Sequence, residues 1–342
     1  MEESFDRKKH LAFVEKLMKY FASCPKLCAF SSCKENAISS HVYQNSTILS
    51  NISDSKGELM EFRFDSIFNA AVPQYKAIHR NNVLTYPGFC QYHDNRLFSP
   101  IEPQKKYVDW SSPLSQQLLA YRTICRELYV ANLGANVFNQ IIDAYSIPNP
   151  DVEDEYLVPF EFVMQRQKFG CIIDNLIHYR NDFENAIDGQ KSSYHFHYIE
   201  IPFRLELCVA ATIAGTDKRG PCFITNYQDM NVINIFPYGD KTIAILGYDE
   251  QFENIWEKNI LDVFAQAKES YNPLDKAYYY NTALMDILFR TDFHCLSKKL
   301  YSTLNKDQIT AFLDNWNELR DEYTFDIASR SCLFYDTIKE SL

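Results

Sequence analysis

Four side chains stand in two short pairs with the spacing of a metal site. Cys28 and Cys33 have four residues between them, and Cys90 and His93 have two. A structural zinc ion takes four Cys or His ligands in a tetrahedron, and two short loops of this kind are the usual way to bring four together. The spacing predicts one structural Zn2+ held by Cys28, Cys33, Cys90 and His93 in a treble-clef-like module. The second pair follows the turn at Pro87-Gly88 and precedes a helical stretch, the order such a module requires. Cys24 is the second choice for the first ligand, because Pro25 follows it directly. Buried thiols without a metal, beside a surface histidine, are the plainer alternative.

His41 has two readings that its own surroundings leave open: an additional zinc ligand, or a histidine hydrogen-bonded at a helix start. As a ligand it makes five candidates for four positions, and one of Cys28 and Cys33 is then free. His195 and His197 fall two apart in a strand pattern and so face one side. No third ligand stands at metal spacing from them, and an edge or surface pair is the simpler reading. The run 236–242 reads as a hairpin turn, because the Gly-rich loop that a phosphate-binding Lys-Thr ending needs is missing. Phe293-His294-Cys295 reads as ordinary loop. Ser99-Pro100-Ile101-Glu102 reads as a helix start with Ser99 as N-cap, which gives Glu102 a capping role.

The order of a Cys pair, then Ser40-His41, then Phe89-Cys90-Gln91-Tyr92-His93-Asp94-Asn95-Arg96 resembles the HNH (His-Me finger) endonucleases. Their second knuckle is typically a Leu-Cys-x-x-Cys-Asn-like run; His93 stands where that run has its second Cys, and Asp94 where the family has Asn or His. The stretch from Ser40-His41-Val42-Tyr43-Gln44 through Gly88-Phe89-Cys90 to Ile101-Glu102 is also similar to a family of bacterial proteins with members expected in phage-defence settings. The resemblance implies a metal-dependent endonuclease in which His41 is the general base that activates water. It makes Asp94 a ligand of a catalytic Mg2+ or Mn2+ beside the structural zinc. Two positions depart from the family. Ser40 replaces the Asp that usually helps hold the metal, and Asn45, Asn51, Asn69, Asn81 and Asn82 compete for the place of an Asn between His41 and Cys90. The alternative from a different class is a non-catalytic protein in which zinc stabilises a binding or regulatory unit.

The elements that must position these residues read as an α+β chain. Apolar residues at Leu11, Val14, Leu17, Met18 and Phe21 predict an amphipathic helix over 6–22, packed on the zinc module. A second helix is expected over 41–53, and strands with loops over 57–86. The pattern at Leu114, Leu118, Tyr121, Ile124 and Leu128 predicts a helix, followed by another over 134–145. The segment 147–156 holds two prolines and four acids and is the expected linker between a zinc-binding domain, 1–146, and an α+β domain, 157–342. Beyond it come a helical stretch over 157–188 and an antiparallel sheet of five strands over 193–248. Helices are expected over 250–270, 273–291 and 306–320.

Composition bounds the function classes. The formal charge of −11 argues against a protein that coats nucleic acid along its whole surface. That charge is uneven: residues 1–110 carry 14 Lys and Arg against 12 Asp and Glu, and the remainder carries 20 against 33. Contact with nucleic acid is therefore expected through the N-terminal third, and a protein partner or self-association through the acidic C-terminal part. No apolar run is long enough to span a membrane, and the N-terminus lacks the charge and apolar pattern of a secretion signal. Ten cysteines in that setting read as free thiols and metal ligands in a cytoplasmic protein without membrane contact.

Overall fold

The computed structural model describes residues 2–64, 73–102, 107–145, 160–214, 230–251, 255–322 and 331–342. The chain is α+β, built on an antiparallel sheet flanked by helices. Seven strands form that sheet in the order β3-β2-β9-β6-β7-β8-β5. They are β2 (Glu58–Phe64), β3 (Pro73–His79), β5 (Tyr194–Ile201), β6 (Leu207–Ala214), β7 (Met230–Tyr238), β8 (Lys241–Asp249) and β9 (His294–Ser297). A separate two-stranded pair joins β1 (Ser39–His41) to β4 (Thr85–Pro87).

The central strands read as continuous apolar runs because both of their faces are covered. Residues 230–237 of β7 are all buried. Val232 and Phe236 of β7, with Ile243 and Ile245 of β8, face one core, while Ile233, Ile235, Ala244 and Leu246 face the other, as a period of two requires. The first face packs on α3 (Pro113–Tyr145) and α4 (Phe160–Ile187). The second is covered by α5 (Ile255–Glu269), α6 (Pro273–Arg290), α8 (Lys306–Glu322) and the C-terminal α9 (Tyr335–Ser341). Between β9 and α8 lies the short α7 (Lys298–Thr303). The β7–β8 hairpin turns at Gly239, whose φ of 64° suits a residue without Cβ, as the sequence pattern predicts.

Several expectations change. Residues 113–145 form one helix rather than two, with Gly134 in its interior. The ring of Phe169 on α4 approaches Gly134 so closely that a Cβ there would lie 2.5 Å from it, so this glycine marks a helix crossing and not a break. His41 ends strand β1; the expected 41–53 helix reduces to a single π turn over Asn45–Leu49 followed by turns. Ser99 starts no helix within the described residues, and its hydroxyl donates back to the Arg96 carbonyl at 3.0 Å. Helix α1 (Glu2–Ser23) lays Val14, Leu17, Met18 and Phe21 against Val137, Phe138 and Ile141 of α3 instead of against the metal module. His294 and Cys295, expected in a loop, belong to β9, a strand of four residues that is too short and too buried to show alternation.

The expected linker 147–156 and residues 215–229 of the expected sheet lie outside the described residues. The sheet draws on both sides of that linker, since β2 pairs with β3 on one edge and with β9 on the other. His195 and His197 lie on the edge strand β5, where they meet Glu250 at 2.9 Å and Glu257 at 2.5 Å.

Candidate metal centre and its adjoining cleft

The first knuckle is a tight excursion closed by backbone bonds. The N–H of Cys28 donates to the Glu35 carbonyl at 2.8 Å, that of Ala37 to Lys26 at 2.8 Å, and that of Cys33 to Phe30 at 2.9 Å. Two further bonds tie it to the second knuckle, Ala29 N–H to Gly88 O and Ile38 N–H to Phe89 O, each 2.8 Å. Gly88 permits this approach: a Cβ there would lie 2.8 Å from the Tyr86 ring and 3.0 Å from Ser40 Cβ. Cys90 is the N-cap of α2 (Gln91–Leu97), so His93 and Asp94 project from the first turn of that helix.

Cys28, Cys33, Cys90 and His93 converge, with their donor atoms all within 4.8 Å of one another. Cys33 Sγ and Cys90 Sγ are 3.8 Å apart, while His93 Nδ1 lies 3.5 Å from Cys28 Sγ and 3.3 Å from Cys90 Sγ. With zinc–sulfur bonds of about 2.3 Å and zinc–nitrogen bonds of about 2.0–2.1 Å, a regular tetrahedron has edges of about 3.8 Å between sulfurs and about 3.6 Å between sulfur and nitrogen. The donor set therefore fits a metal ion such as zinc in both chemistry and size. Cys24 and His41 are not part of the cluster.

Burial pushes the Cys28 thiol up to about 12, against the pull of backbone N–H groups at Cys90 and Phe30. At Cys90, burial is outweighed by the His93 N–H and by the Cys33 and Cys28 thiols, and its ionisation is held below the usual thiol value. Burial also lowers His93, so its imidazole is neutral and offers a lone pair at Nδ1. The Phe30 ring stacks on that imidazole at 4.4 Å.

A carboxylate from the middle of the chain secures the knuckle. Glu184 of α4 accepts the Ser31 N–H at 3.0 Å and the Ser31 hydroxyl, and also the Tyr121 hydroxyl at 2.7 Å. Metal sites depend on such outer contacts to hold their ligands in place.

Beside the metal cluster opens a polar cleft of about 340 Å³, lined by His41, Asn45, Arg80, Asp94, Glu102 and Arg122 among others. His41 reaches it from the end of β1, and Asp94 from α2. The His41 Nε2 lies 3.1 Å from the Arg80 carbonyl oxygen, which accepts only from the tautomer protonated at Nε2 and so leaves Nδ1 as proton acceptor. Burial lowers the His41 ionisation; the Arg80 carbonyl raises it, Arg122 lowers it, and Asp94 and Glu102 raise it, with a net shift downward. The result is a neutral imidazole at neutral pH.

Arg122 carries no motif, and the pattern around Glu102 points to a helix cap and not to this role. Arg122 is 1% exposed and pairs with Glu102 at 2.5 Å and with Asp94 at 3.6 Å. Its guanidinium also lies 3.9 Å over the Phe98 ring. Glu102 is thus an ion-pair partner of α3 rather than a helix cap. The Ser40 hydroxyl turns inward to accept the Phe89 N–H at 3.1 Å and is buried. Among the competing asparagines, Asn45 donates to Asn81 at 2.9 Å, and Asn69 lies outside the described residues. Among the described residues no helix is long and apolar enough to cross a membrane. Comparison with family models, with curated proteins and with solved structures gives no match.

Proposed function

We propose that this chain is a metal-dependent endonuclease of the HNH type, with one structural zinc on Cys28, Cys33, Cys90 and His93. The observation that carries the reading is the convergence of His41 and Asp94, from different elements, on one polar cleft next to the Cys3His cluster. A knuckle, the β1–β4 strand pair whose first strand bears His41, and a helix bearing Asp94 occur in that order along the chain, with β2 and β3 between the paired strands, and this order supports the reading. His41, neutral and oriented through Arg80, takes the proton of the attacking water at Nδ1. Asp94 and Glu102 supply the hard oxygen donors suited to Mg2+ or Mn2+, an ion that offsets charge on a phosphodiester when bound. The substrate is nucleic acid, met by the N-terminal third in a cytoplasmic setting, and the acidic C-terminal part engages a protein partner or a second copy. A role in defence against phage goes with this reading and is tested by challenging expressing cells; unchanged susceptibility removes it.

The decisive experiment measures metal content and cleavage of plasmid, single-stranded DNA and RNA, with and without Mg2+ or Mn2+. One zinc per chain and cleavage that falls by roughly a hundredfold or more in His41→Ala and in Asp94→Ala is the expected result. Cleavage that both variants retain sinks the assignment.

One observation favours a second reading, a non-catalytic zinc-stabilised binding protein. Arg122 already compensates both Asp94 and Glu102. That reading expects one tightly held zinc and no activity dependent on added Mg2+ or Mn2+.

A further inference from the structure

Buried polar atoms are almost always hydrogen-bonded, and each exception asks for an explanation. Among the described residues, four of the twelve buried side-chain atoms without a hydrogen-bond partner belong to one cleft: Asn45 Oδ1, Arg80 Nε, Asp94 Oδ1 and Arg122 Nε. Two of them are guanidinium N–H donors. They come from separate elements, the turn after β3 and the third turn of α3. Arg122 cannot swing away to solvent, because it is 1% exposed, stacked on Phe98 and tied by its terminal nitrogens to Glu102 and Asp94. Those contacts leave its Nε–H unmet.

We infer that the cleft is a binding subsite for a phosphodiester monoanion, with Arg80 Nε and Arg122 Nε donating to its non-bridging oxygens. Guanidinium N–H groups match phosphate oxygens in geometry and charge. The charge of the lining selects the ester class. Two guanidinium groups face two carboxylates, Asp94 and Glu102, and His41 is neutral, so the cleft has no excess positive charge to favour a phosphomonoester dianion or a polyphosphate. A diester with one negative charge and several acceptor oxygens fits that balance. Arg80 has two duties here: its carbonyl orients His41 and its side chain holds the ester beside it. The inference rests on the proposed function for the nature of the bond attacked, whereas anion binding itself needs no hydrolysis.

The test titrates the zinc-loaded full chain with a dinucleoside monophosphate, without added Mg2+ or Mn2+, while following the arginine Nε–H signals by 1H–15N NMR. Inorganic phosphate and inorganic sulfate serve as comparison ligands. Saturable shifts of the Arg80 and Arg122 signals are expected, with binding weakened at least about tenfold in Arg80→Gln, the loss of one hydrogen bond to a charged group. Arg80 is the informative position, since Arg122→Gln strips two half-buried carboxylates of their shared partner and threatens the fold. Unmoved Nε–H signals at millimolar ligand, or equal affinity in Arg80→Gln, overturn the site. Sulfate or phosphate binding as tightly as the diester overturns its selectivity. A chain that binds the diester through these arginines and never cleaves it refutes the nuclease reading alone, and cleavage without these shifts refutes the subsite alone.

Discussion

Glu184 and Ser31 stand 153 residues apart in the chain, yet the Glu184 carboxylate accepts both the backbone N–H of Ser31, at 3.0 Å, and its hydroxyl. Ser31 lies between two of the metal donors, Cys28 and Cys33. The contact therefore fixes the first knuckle from α4, an element of the C-terminal part. Glu184→Gln replaces one of the two acceptor oxygens with a donor, which then faces either the Ser31 hydroxyl or the Ser31 N–H and the Tyr121 hydroxyl. Zinc affinity is expected to fall by about 10–100-fold, as for outer contacts of metal ligands generally. Competition against a chromophoric chelator measures it, with Arg180→Gln as control, because Arg180 reaches Glu184 only at 3.9 Å. Equal zinc retention in Glu184→Gln and the parent chain defeats the prediction.

Metal removal should loosen one region and spare another. The knuckle is held by a few backbone bonds and by its metal donors, whereas β7 and β8 are buried on both faces of the sheet. On chelation, amide exchange at Ala29, Cys33 and Ile38 is expected to accelerate while β7 and β8 remain protected. Cys33→Ser should reproduce the effect with zinc present. Exchange at the knuckle that ignores the chelator would mean that the cluster is not a structural metal site.

These two predictions rest on features of unequal legibility. The Cys3His cluster is readable because each pair is local, and local spacing survives in a sequence. The cleft is not: Arg80, Glu102 and Arg122 come from three separate segments, and nothing in their neighbours marks them. Ser99 through Glu102 illustrates the difficulty, since a pattern that suits a helix cap is overridden by the ion pair that Glu102 makes with Arg122. Sheet strands β7 and β8 are legible from their β-branched runs. That β2, β3 and β9 join them is invisible, because strand pairing between distant segments leaves no local trace. The split of 113–145 into two helices fails as well: Gly134, where the second helix is expected to begin, lies inside one helix with Phe169 packed against it.

That glycine supports a further prediction. Gly134→Ala gains about 1 kcal/mol of helix propensity. Against this, the new Cβ would lie 2.5 Å from Phe169 Cζ and 2.7 Å from Cε1, on a ring that already packs on Phe138. Overpacking of this kind costs about 1–3 kcal/mol, so the clash outweighs the gain. Urea unfolding should show a net loss of about 1 kcal/mol, recovered when Phe169→Leu is added. A stabilised Gly134→Ala would show that α3 and α4 do not cross so closely.

His294 makes stability depend on pH. Its ring is fully buried in β9, stacked on Phe62 at 4.5 Å, with Nε2 2.8 Å from the Tyr75 hydroxyl and Nδ1 without a hydrogen-bond partner. Burial lowers its ionisation from 6.5 to about 3. The sign follows from linkage: between those values the unfolded chain binds a proton that the folded chain refuses. The stabilising contribution is complete above pH 6.5 and is lost as pH falls toward 3. Well below the upper value the loss approaches about 1.4 kcal/mol per pH unit, which gives about 2 kcal/mol between pH 7.5 and 5. His294→Gln keeps a hydrogen-bonding group near Tyr75 and cannot titrate. Its urea stability is expected to be lower than the parent's at pH 7.5 and to decline less on acidification, so that the gap narrows by about 2 kcal/mol by pH 5. Parallel pH profiles for the two chains would show that His294 accepts its proton within the fold, and that the core around Phe62 and Tyr75 opens to let it.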